Sequence, residues 1–200
     1  LNSVARALHE VGMQKTDINK YPHQFSGGQR QRIAIARAIV AKPDLIIADE
    51  PLSALDVSIQ SQIINLLMAL KKQQKLTYMF ISHDLSVVSH LSDRVIVMYK
   101  GHVVESGPTE SVFFRPLHPY TRLLISATPV LGIGKRQRSV KSVADSKKDI
   151  NGTYACPFYP RCQKASDLCR FLDPFPRMEN FSKSEHSAAC HFPEQIQPKM

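Results

Sequence analysis

Two acidic residues that follow a short apolar run have the types and the spacing needed for phosphoryl-transfer chemistry. Leu45 to Ala48 is wholly apolar, and Asp49 and Glu50 come directly after it. Because adjacent side chains on an extended chain point in different directions, one carboxylate can bind Mg²⁺ while the other orients or deprotonates an attacking water molecule. A solvated acidic pair at a strand end is the common alternative. The pattern predicts a magnesium ligand in Asp49 and a water-orienting group in Glu50.

A histidine occupies a similar place after the next apolar run. Thr77 to Ile81 predicts a strand, and Ser82 and His83 follow it. Ligands of open α/β sheets bind beyond the carboxyl ends of the strands, so His83 is expected near Asp49 and Glu50. His83 could contact a γ-phosphate or hold the water in place, although a lone histidine is more often a hydrogen-bonded bystander.

A pair of glycines lies at the predicted start of a helix. Ser26 and Gln29 have the three-residue spacing of a capping box, and the largely apolar run Ile33 to Ala41 suits a helix body. Gly27 and Gly28 leave the amides of the first turn bare, and such a helix end attracts anions. An ordinary capped helix is the alternative. The segment therefore supplies candidate phosphate-binding residues.

The elements that must position these residues alternate between strand length and helix length up to about residue 128. This alternation predicts an α/β fold in which helices flank a parallel sheet. Leu45 to Ala48 is expected to be buried on both faces, and Ser58 to Lys72 has the apolar stripe of an amphipathic helix. Arg94 to Tyr99 and His102 to Glu105 are expected to pair as a hairpin.

Composition divides the chain into three parts. Residues 1–128 carry the alternating pattern, residues 129–153 are rich in Lys, Arg, Ser and Asp and predict a linker, and residues 154–200 hold all four cysteines. The net charge of +9 indicates an affinity for polyanions. Nucleic acid is not expected as a partner because the basic linker has no interleaved aromatic residues. No segment has the pattern of a membrane helix or of a secretion signal.

Four motifs, in their order and intervals, resemble those of ABC-type ATPases. Phe25 to Gln29 resembles the signature motif, and Leu45 to Glu50 resembles the Walker B strand with its catalytic glutamate. Ser53 to Asp56 resembles the D-loop, and His83 the switch histidine. The resemblance implies the C-terminal part of an ABC-type P-loop ATPase domain, with ATP and Mg²⁺ as cofactors and Glu50 and His83 as catalytic residues. It implies nucleotide-binding roles for Ser26, Gly27, Gly28, Gln29, Asp49 and Asp56.

The phosphate-gripping Walker A loop of that family has no counterpart in these 200 residues. The only Gly-Lys pair, Gly134-Lys135, is followed by Arg136, and Pro129 stands where the first glycine belongs. The chain also begins at Leu1 rather than Met, so we expect an N-terminal truncation and no activity from this fragment alone. In the family two nucleotide domains pair head to tail. The resemblance therefore implies a second ATPase subunit, identical or different, whose nucleotide the signature motif would contact.

A second resemblance indicates the class of substrate. His118-Pro119-Tyr120-Thr121 opens a predicted helix that ends before Pro129. This stretch resembles the tail of the ATP-binding subunits of oligopeptide and dipeptide importers, and the wider sequence looks closest to their F-type subunits. The resemblance implies ATP-driven peptide import and a peripheral location on the cytoplasmic face of the cell membrane. It also implies transmembrane permease subunits as partners and, indirectly, a peptide-binding protein.

The four cysteines predict a metal centre. Cys156, Cys162, Cys169 and Cys190 are separated by 5, 6 and 20 residues. Clustered cysteines in a chain without a secretion signal favour a metal over disulfides. The spacing lacks the close pairs of structural zinc sites, and four thiolates can hold an iron–sulfur cluster. The resemblance to peptide importers implies a [4Fe–4S] cluster, with Zn²⁺ and then free thiols as alternatives, and His191 is expected to be a bystander.

Two other functions stay open at this point. The first is a soluble ABC ATPase that takes no part in transport, and the stretch from His118 to Thr121 argues against it. The second is a non-catalytic metal-binding or redox-sensing module. The missing phosphate loop and the four cysteines are compatible with such a module.

Overall fold

The computed structural model describes residues 2–127, 155–171, 178–180 and 185–194, and the chain forms two compact units, residues 1–87 and 88–200. The predicted linker, residues 129–153, lies outside the described residues. The composition-based division at residues 128 and 154 stays a prediction. Within the described ranges, no helix combines the length and apolar character needed to cross a membrane.

The first unit consists of helices around a pair of strands. It contains helices α1 (Asn2–Glu10), α2 (Gly27–Ile39) and α3 (Val57–Gln74) and strands β1 (Leu45–Asp49) and β2 (Thr77–Ile81). The two strands are parallel, with Leu45 opposite Thr77 and Asp49 opposite Ile81. The expected strands and the amphipathic helix are confirmed, and α3 buries its apolar stripe through Ile63, Leu67 and Leu70.

One expectation about this sheet is wrong for the described residues. The apolar run from Leu45 was expected to be buried on both faces, but Leu45 is 50% and Ile47 64% exposed. Met79 and Ile81 on the neighbouring strand are 53% and 43% exposed. Parallel strands become buried on both faces only when crossover helices cover both sides. A single helix, α3, connects β1 to β2 and can cover only one side of the pair.

The second unit is built around an antiparallel sheet. Helix α4 (Leu85–Leu91) begins at the end of the first unit and leads into β3 (Arg94–Tyr99) and β4 (His102–Pro108). These two strands form the expected hairpin, and Lys100 and Gly101 in its turn both have positive φ, 47° and 81°. That conformation is typical of two-residue hairpin turns and favours glycine.

The end of the chain joins the same sheet. After α5 (Thr109–Phe114), α6 (Pro119–Ala127) and α7 (Asp167–Phe171), two short strands follow, β5 (Glu179–Asn180) and β6 (Ser187–Ala188). The strand order is β3-β4-β6-β5, so β6 pairs with β4 from the opposite side to β3. Strands from both sides of the predicted linker therefore share one sheet.

Candidate functional site

The carboxyl ends of β1 and β2 bring two of the predicted residues together. Nδ1 of His83 lies 3.1 Å from Oε1 of Glu50, and the two side chains are 75% and 49% exposed. The amide of Glu50 also donates to the carbonyl oxygen of Ile81, 2.9 Å away, so the parallel pairing continues past the end of β1. The register of the two strands therefore places the two functional groups side by side.

The backbone of Glu50 is held in an uncommon conformation. Its φ is 43°, in the left-handed region that residues other than glycine rarely adopt. Ser53 contributes to holding this turn, since both its amide and its hydroxyl donate to the carbonyl oxygen of Glu50, at 3.3 and 3.1 Å. Strain of this kind is frequent where a side chain must be presented at a functional site.

The contact restricts what His83 can do. An ionised carboxylate only accepts hydrogen bonds, so His83 donates through Nδ1 to Glu50 and its Nε2 remains for another group. Asp49, the last residue of β1, is exposed at the same strand end. Mg²⁺ is commonly bound through one or two carboxylates together with water and substrate phosphates. The donor type and exposure of Asp49 fit such a ligand.

The glycine segment forms the capped helix start that the sequence predicts. The amide of Gln29 donates to Oγ of Ser26 at 3.3 Å, and Oε1 of Gln29 accepts from the amide of Ser26 at 3.0 Å. The first amides of a helix have no acceptor within the helix. Of these, the amide of Gln29 is bound by the Ser26 side chain. The amides of Gly27 and Gly28 are the ones suited to binding an anion.

Packing against α3 also explains why position 28 is a glycine, and the sequence alone did not indicate this. A Cβ atom on Gly28 would lie 2.7 Å from Cγ2 of Ile59 on α3, whereas one on Gly27 would lie 3.6 Å from the Leu55 side chain. Real Cβ atoms do not approach other atoms as closely as 2.7 Å. Gly28 therefore lets the start of α2 approach α3 closely, independently of any phosphate.

Asp56 caps the neighbouring helix. Its carboxylate accepts from the Ser58 hydroxyl at 2.6 Å and from the Ile59 amide at 2.9 Å, and these bonds lower the pKa of Asp56. Nε2 of Gln60, a residue that sequence analysis missed, donates to the carbonyl oxygens of Leu52 and Leu55 at 3.0 and 3.1 Å. Asp56 thus has a structural role at the start of α3, while its contact with nucleotide stays a prediction.

The second unit contains a buried acid–base pair that sequence analysis also missed. Glu105 is 0% exposed, and its Oε1 lies 2.7 Å from Nε2 of His186, which is 1% exposed. The same carboxylate accepts the amides of Leu117 and His118, at 2.8 and 2.9 Å. An acidic residue at the end of a predicted strand gave no sign of this burial, because its partners lie far along the sequence.

The four cysteines line one pocket of the second unit. Its walls also include two histidines and aromatic side chains, and its lining residues are His118, Pro119, Cys156, Phe158, Tyr159, Cys162, Lys164, Cys169, Cys190, His191 and Phe192. The four thiols are free of disulfides. Burial raises the pKa of the Cys156 thiol and raises that of Cys190 to about 12. In the absence of a bound cation these two residues are neutral thiols at pH 7.

The pocket does not present a ready ligand set for one ion. Within the described residues, no three side chains among His, Cys, Asp and Glu are arranged to hold a metal ion. The expectation of a metal centre at Cys156, Cys162, Cys169 and Cys190 therefore gains no support from the arrangement of their side chains. What the fold provides is the convergence of the four thiols on one pocket.

Two histidines of this pocket differ in their hydrogen bonds. Nδ1 of His118 accepts from the amide of Tyr120 at 3.1 Å, and burial lowers the pKa of His118 to about 4, so its imidazole is neutral at pH 7. Nε2 of His191 is buried and has no hydrogen-bond partner within the described residues. An unsatisfied buried nitrogen costs about 1–3 kcal/mol, and the expectation that His191 is a bystander next to Cys190 stays a prediction.

Two family profiles match separate parts of the sequence. The family profile described as "ABC transporter" matches residues 1–53, and the one described as "Oligopeptide/dipeptide transporter, C-terminal region" matches residues 104–169. A solved structure, cbiO1 from Clostridium perfringens, part of the ABC transporter complex cbiONQ, aligns with a TM-score of 0.53 and 34% identity over 57% of this chain and 45% of its own. The likeness confirms the expected α/β ABC ATPase fold, but it does not support a separate cysteine-rich tail.

Curated relatives match nearly the whole chain. The dipeptide transport ATP-binding protein DppF of Haemophilus influenzae is 46% identical over 188 residues, 94% of this chain and 57% of that protein. The oligopeptide transport ATP-binding protein AppF of Bacillus subtilis is 48% identical over 191 residues, again 94% of this chain and 57% of the relative. The chain thus spans a little over half the length of these relatives.

Proposed function

We propose that this chain, a homologue over most of its length of dipeptide and oligopeptide transport ATP-binding proteins, forms part of an ATP-binding subunit that hydrolyses ATP to drive peptide import. The observation that carries the proposal is the 3.1 Å contact between Nδ1 of His83 and Oε1 of Glu50 at the ends of two parallel strands. A carboxylate and an imidazole at this edge of an α/β sheet are suited to hydrolysing a bound phosphate ester.

Three side chains would share the chemistry. Asp49 would bind Mg²⁺, which when bound neutralises charge on the phosphates. Glu50 would orient the attacking water and accept its proton, and the left-handed turn at Glu50 presents its carboxylate beyond the strand. His83, with Nδ1 bonded to Glu50, would use Nε2 toward the γ-phosphate or the water.

The capped start of α2 would serve a second nucleotide. Ser26, Gly27, Gly28 and Gln29 would contact the γ-phosphate held by another ATPase subunit, identical or different, through the first-turn amides and the Ser26 hydroxyl. Asp56, which caps the start of α3, would lie near the same nucleotide at the boundary between the two ATPase subunits. This assignment is supported by the capping box, which fixes the orientation of the first turn.

The partners and the location follow from the relatives. DppF and AppF are named as transport ATP-binding proteins for dipeptides and oligopeptides. We infer that this subunit binds transmembrane permeases from the cytoplasmic face of the cell membrane and receives substrate indirectly from a peptide-binding protein. A soluble ABC ATPase or a non-catalytic module is less favoured, because the relatives named for peptide transport match 94% of the chain.

The substitution Glu50→Gln tests the proposed hydrolysis. In the assembled transporter, this variant should bind ATP as the wild type does and lose about 10²–10⁴-fold in turnover, because an amide cannot accept the proton. Nucleotide binding and phosphate release are measured on the same preparation. Unimpaired hydrolysis would remove Glu50 from the proposed role.

A metal centre in the second unit is a further part of the proposal. The support is chemical: four thiols and no carboxylate line the pocket, and such a set suits an iron–sulfur cluster, with Zn²⁺ as the alternative. Cys156, Cys162, Cys169 and Cys190 would hold a [4Fe–4S] cluster in a cysteine-rich tail, residues 154–200, whose strand β6 pairs with β4.

Analysis of anaerobically purified protein tests the metal centre. Near-stoichiometric cluster iron and sulfide, with visible absorption that Cys169→Ser removes, would support the cluster. Colourless protein loaded with zinc, or protein free of metal, would contradict it. Ser126→Ala, an exposed hydroxyl on α6, is a control that should leave the metal content unchanged.

A further inference from the structure

The loop that carries His83 is held by hydrogen bonds of its own. His83 lies between Ser82 and Asp84, in the loop that joins β2 to α4. Its side chain is 75% exposed and is therefore held little by packing. The 3.1 Å contact between Nδ1 and Oε1 of Glu50 then depends on where the backbone of the loop lies. Residues that fix this backbone determine how His83 meets Glu50.

Ser82 closes the loop on one side of His83. The amide of Asp84 donates to Oγ of Ser82 at 3.0 Å, so a hydrogen bond spans His83 from the residue before it to the residue after it. Serine hydroxyls commonly form such turns with backbone groups nearby in the sequence. The bond restricts the conformations open to the backbone of His83 at the end of β2.

Asp84 attaches the other side of the loop to α4. Its Oδ1 accepts the amides of Ser86 and Val87, at 2.8 and 3.3 Å. A carboxylate in this position satisfies amides of the first helical turn that have no acceptor within the helix. Leu85 and Val87 are buried, so the turn to which Asp84 is bound is itself anchored by packing. The cap thus ties His83 to a fixed part of the first unit.

Glu50, which contacts His83, is held from its own side. Its amide donates to the carbonyl oxygen of Ile81 at 2.9 Å, and its carbonyl oxygen accepts the Ser53 hydroxyl at 3.1 Å. These bonds use the backbone of Glu50 and leave its carboxylate for His83. The distance between the two functional groups therefore depends on two separately fixed loops, and a shift of either loop would change it.

We propose that Asp84 is a positioning residue for ATP hydrolysis. By capping α4 it holds the backbone of His83 where Nδ1 reaches Glu50 and Nε2 is left for the substrate. The inference rests on the proposed function of Glu50 and His83. A displacement of about 1 Å at a reacting group can cost about 10²-fold in rate. Because the carboxylate of Asp84 binds backbone amides, its effect on turnover must pass through His83.

A double-mutant cycle in the assembled transporter tests this role. Asp84→Ala should lower ATP turnover by about tenfold and leave the KM for ATP unchanged, because the loss affects positioning and not nucleotide binding. In a transporter that already carries His83→Ala, the same substitution should cause no further loss, since residues that act through one another are not additive. Asp84→Asn, whose side-chain oxygen can still cap the helix, should recover most of the turnover.

Asp17→Ala is the matched control. Asp17 also holds a turn of the first unit, since its Oδ2 accepts the amide of Gln14 at 2.9 Å. The substitution thus removes a turn-holding carboxylate away from the loop of His83. Turnover in this variant should equal that of the wild type.

The outcomes separate this inference from the proposed function. Wild-type turnover in Asp84→Ala, or an equal loss with and without His83, would overturn the positioning role alone. If Asp84→Ala does not assemble, Ser82→Ala gives the same comparison, because it removes the acceptor of the Asp84 amide. A loss that disappears in the His83→Ala background would support the role, and any other result would reject it. A wild-type transporter that hydrolyses no ATP, or full turnover in Glu50→Gln, would overturn the proposed function and this inference with it.

Discussion

Oε1 of Glu105 lies 2.7 Å from Nε2 of His186, and both side chains are almost completely buried although they are 81 residues apart in sequence. The same carboxylate accepts two amides at the start of α6. Burying a carboxylate is costly unless it is fully paired. Glu105 therefore links β4 to the loop before α6 and to His186, the residue that precedes β6.

Replacing Glu105 should destabilise the second unit. Glu105→Ala leaves His186 and two buried amides without their acceptor, and loss of one partner of a buried pair costs about 3–5 kcal/mol. Urea unfolding followed by circular dichroism measures the change in the free energy of unfolding. The control Glu110→Ala removes an exposed acid from the first turn of α5 and should cost less than about 1 kcal/mol. Equal losses in the two variants would refute the role given to Glu105.

A matched pair of glycine substitutions separates packing from phosphate binding at the start of α2. Gly28→Ala places a Cβ 2.7 Å from Cγ2 of Ile59 and should cost about 1–3 kcal/mol of stability through overpacking. Gly27→Ala meets Leu55 at an ordinary 3.6 Å and should be close to neutral. Both variants keep their amides, so the comparison is made on stability in urea without nucleotide. A Gly28→Ala variant as stable as the wild type would show that α2 and α3 can shift apart without loss of stability.

The features of this fold that the sequence predicts most directly are those determined by residues close together in the sequence. The capping box at Ser26 and Gln29 and the turn at Lys100 and Gly101 depend on residues within a few positions of one another. The bond between Glu50 and His83 follows from a general rule about strand ends. Glu105 and His186 could not be paired from sequence, since neither lies in a pattern that indicates burial.

Burial of β1 was mispredicted for a related reason. A wholly apolar strand indicates cover on both faces, but the cover itself comes from other elements of the chain. In the described residues Leu45 and Ile47 remain exposed, because α3 can cover only one side of the strand pair. The apolar composition of a strand thus indicates that both of its faces need cover, but the topology determines which elements cover them.

His83 can be tested independently of Glu50. Its side chain is exposed, so His83→Ala should leave stability nearly unchanged and lower ATP turnover of the assembled transporter by about 10²-fold or more. His83→Gln, which can still donate to Glu50, should recover part of the activity. His90→Ala, at an exposed position on α4, serves as the control for removing a histidine. Turnover that is equal in the His83→Ala and His90→Ala variants would contradict the proposed role.

The cap at Asp56 gives stability that depends on pH. The Ser58 hydroxyl and the Ile59 amide lower the pKa of Asp56, so the folded state binds a proton more weakly than the unfolded state. The stabilisation is complete above the unfolded pKa of about 3.9 and is lost as pH falls through the lower folded value. Asp56→Ala should therefore lower the melting temperature at pH 7 by a few degrees and have little effect near pH 2. Asp44→Ala, which removes an exposed acid of the same unit, is the control. If the difference in melting temperature between the wild type and Asp56→Ala persists unchanged at pH 2, the charge of Asp56 does not support the cap.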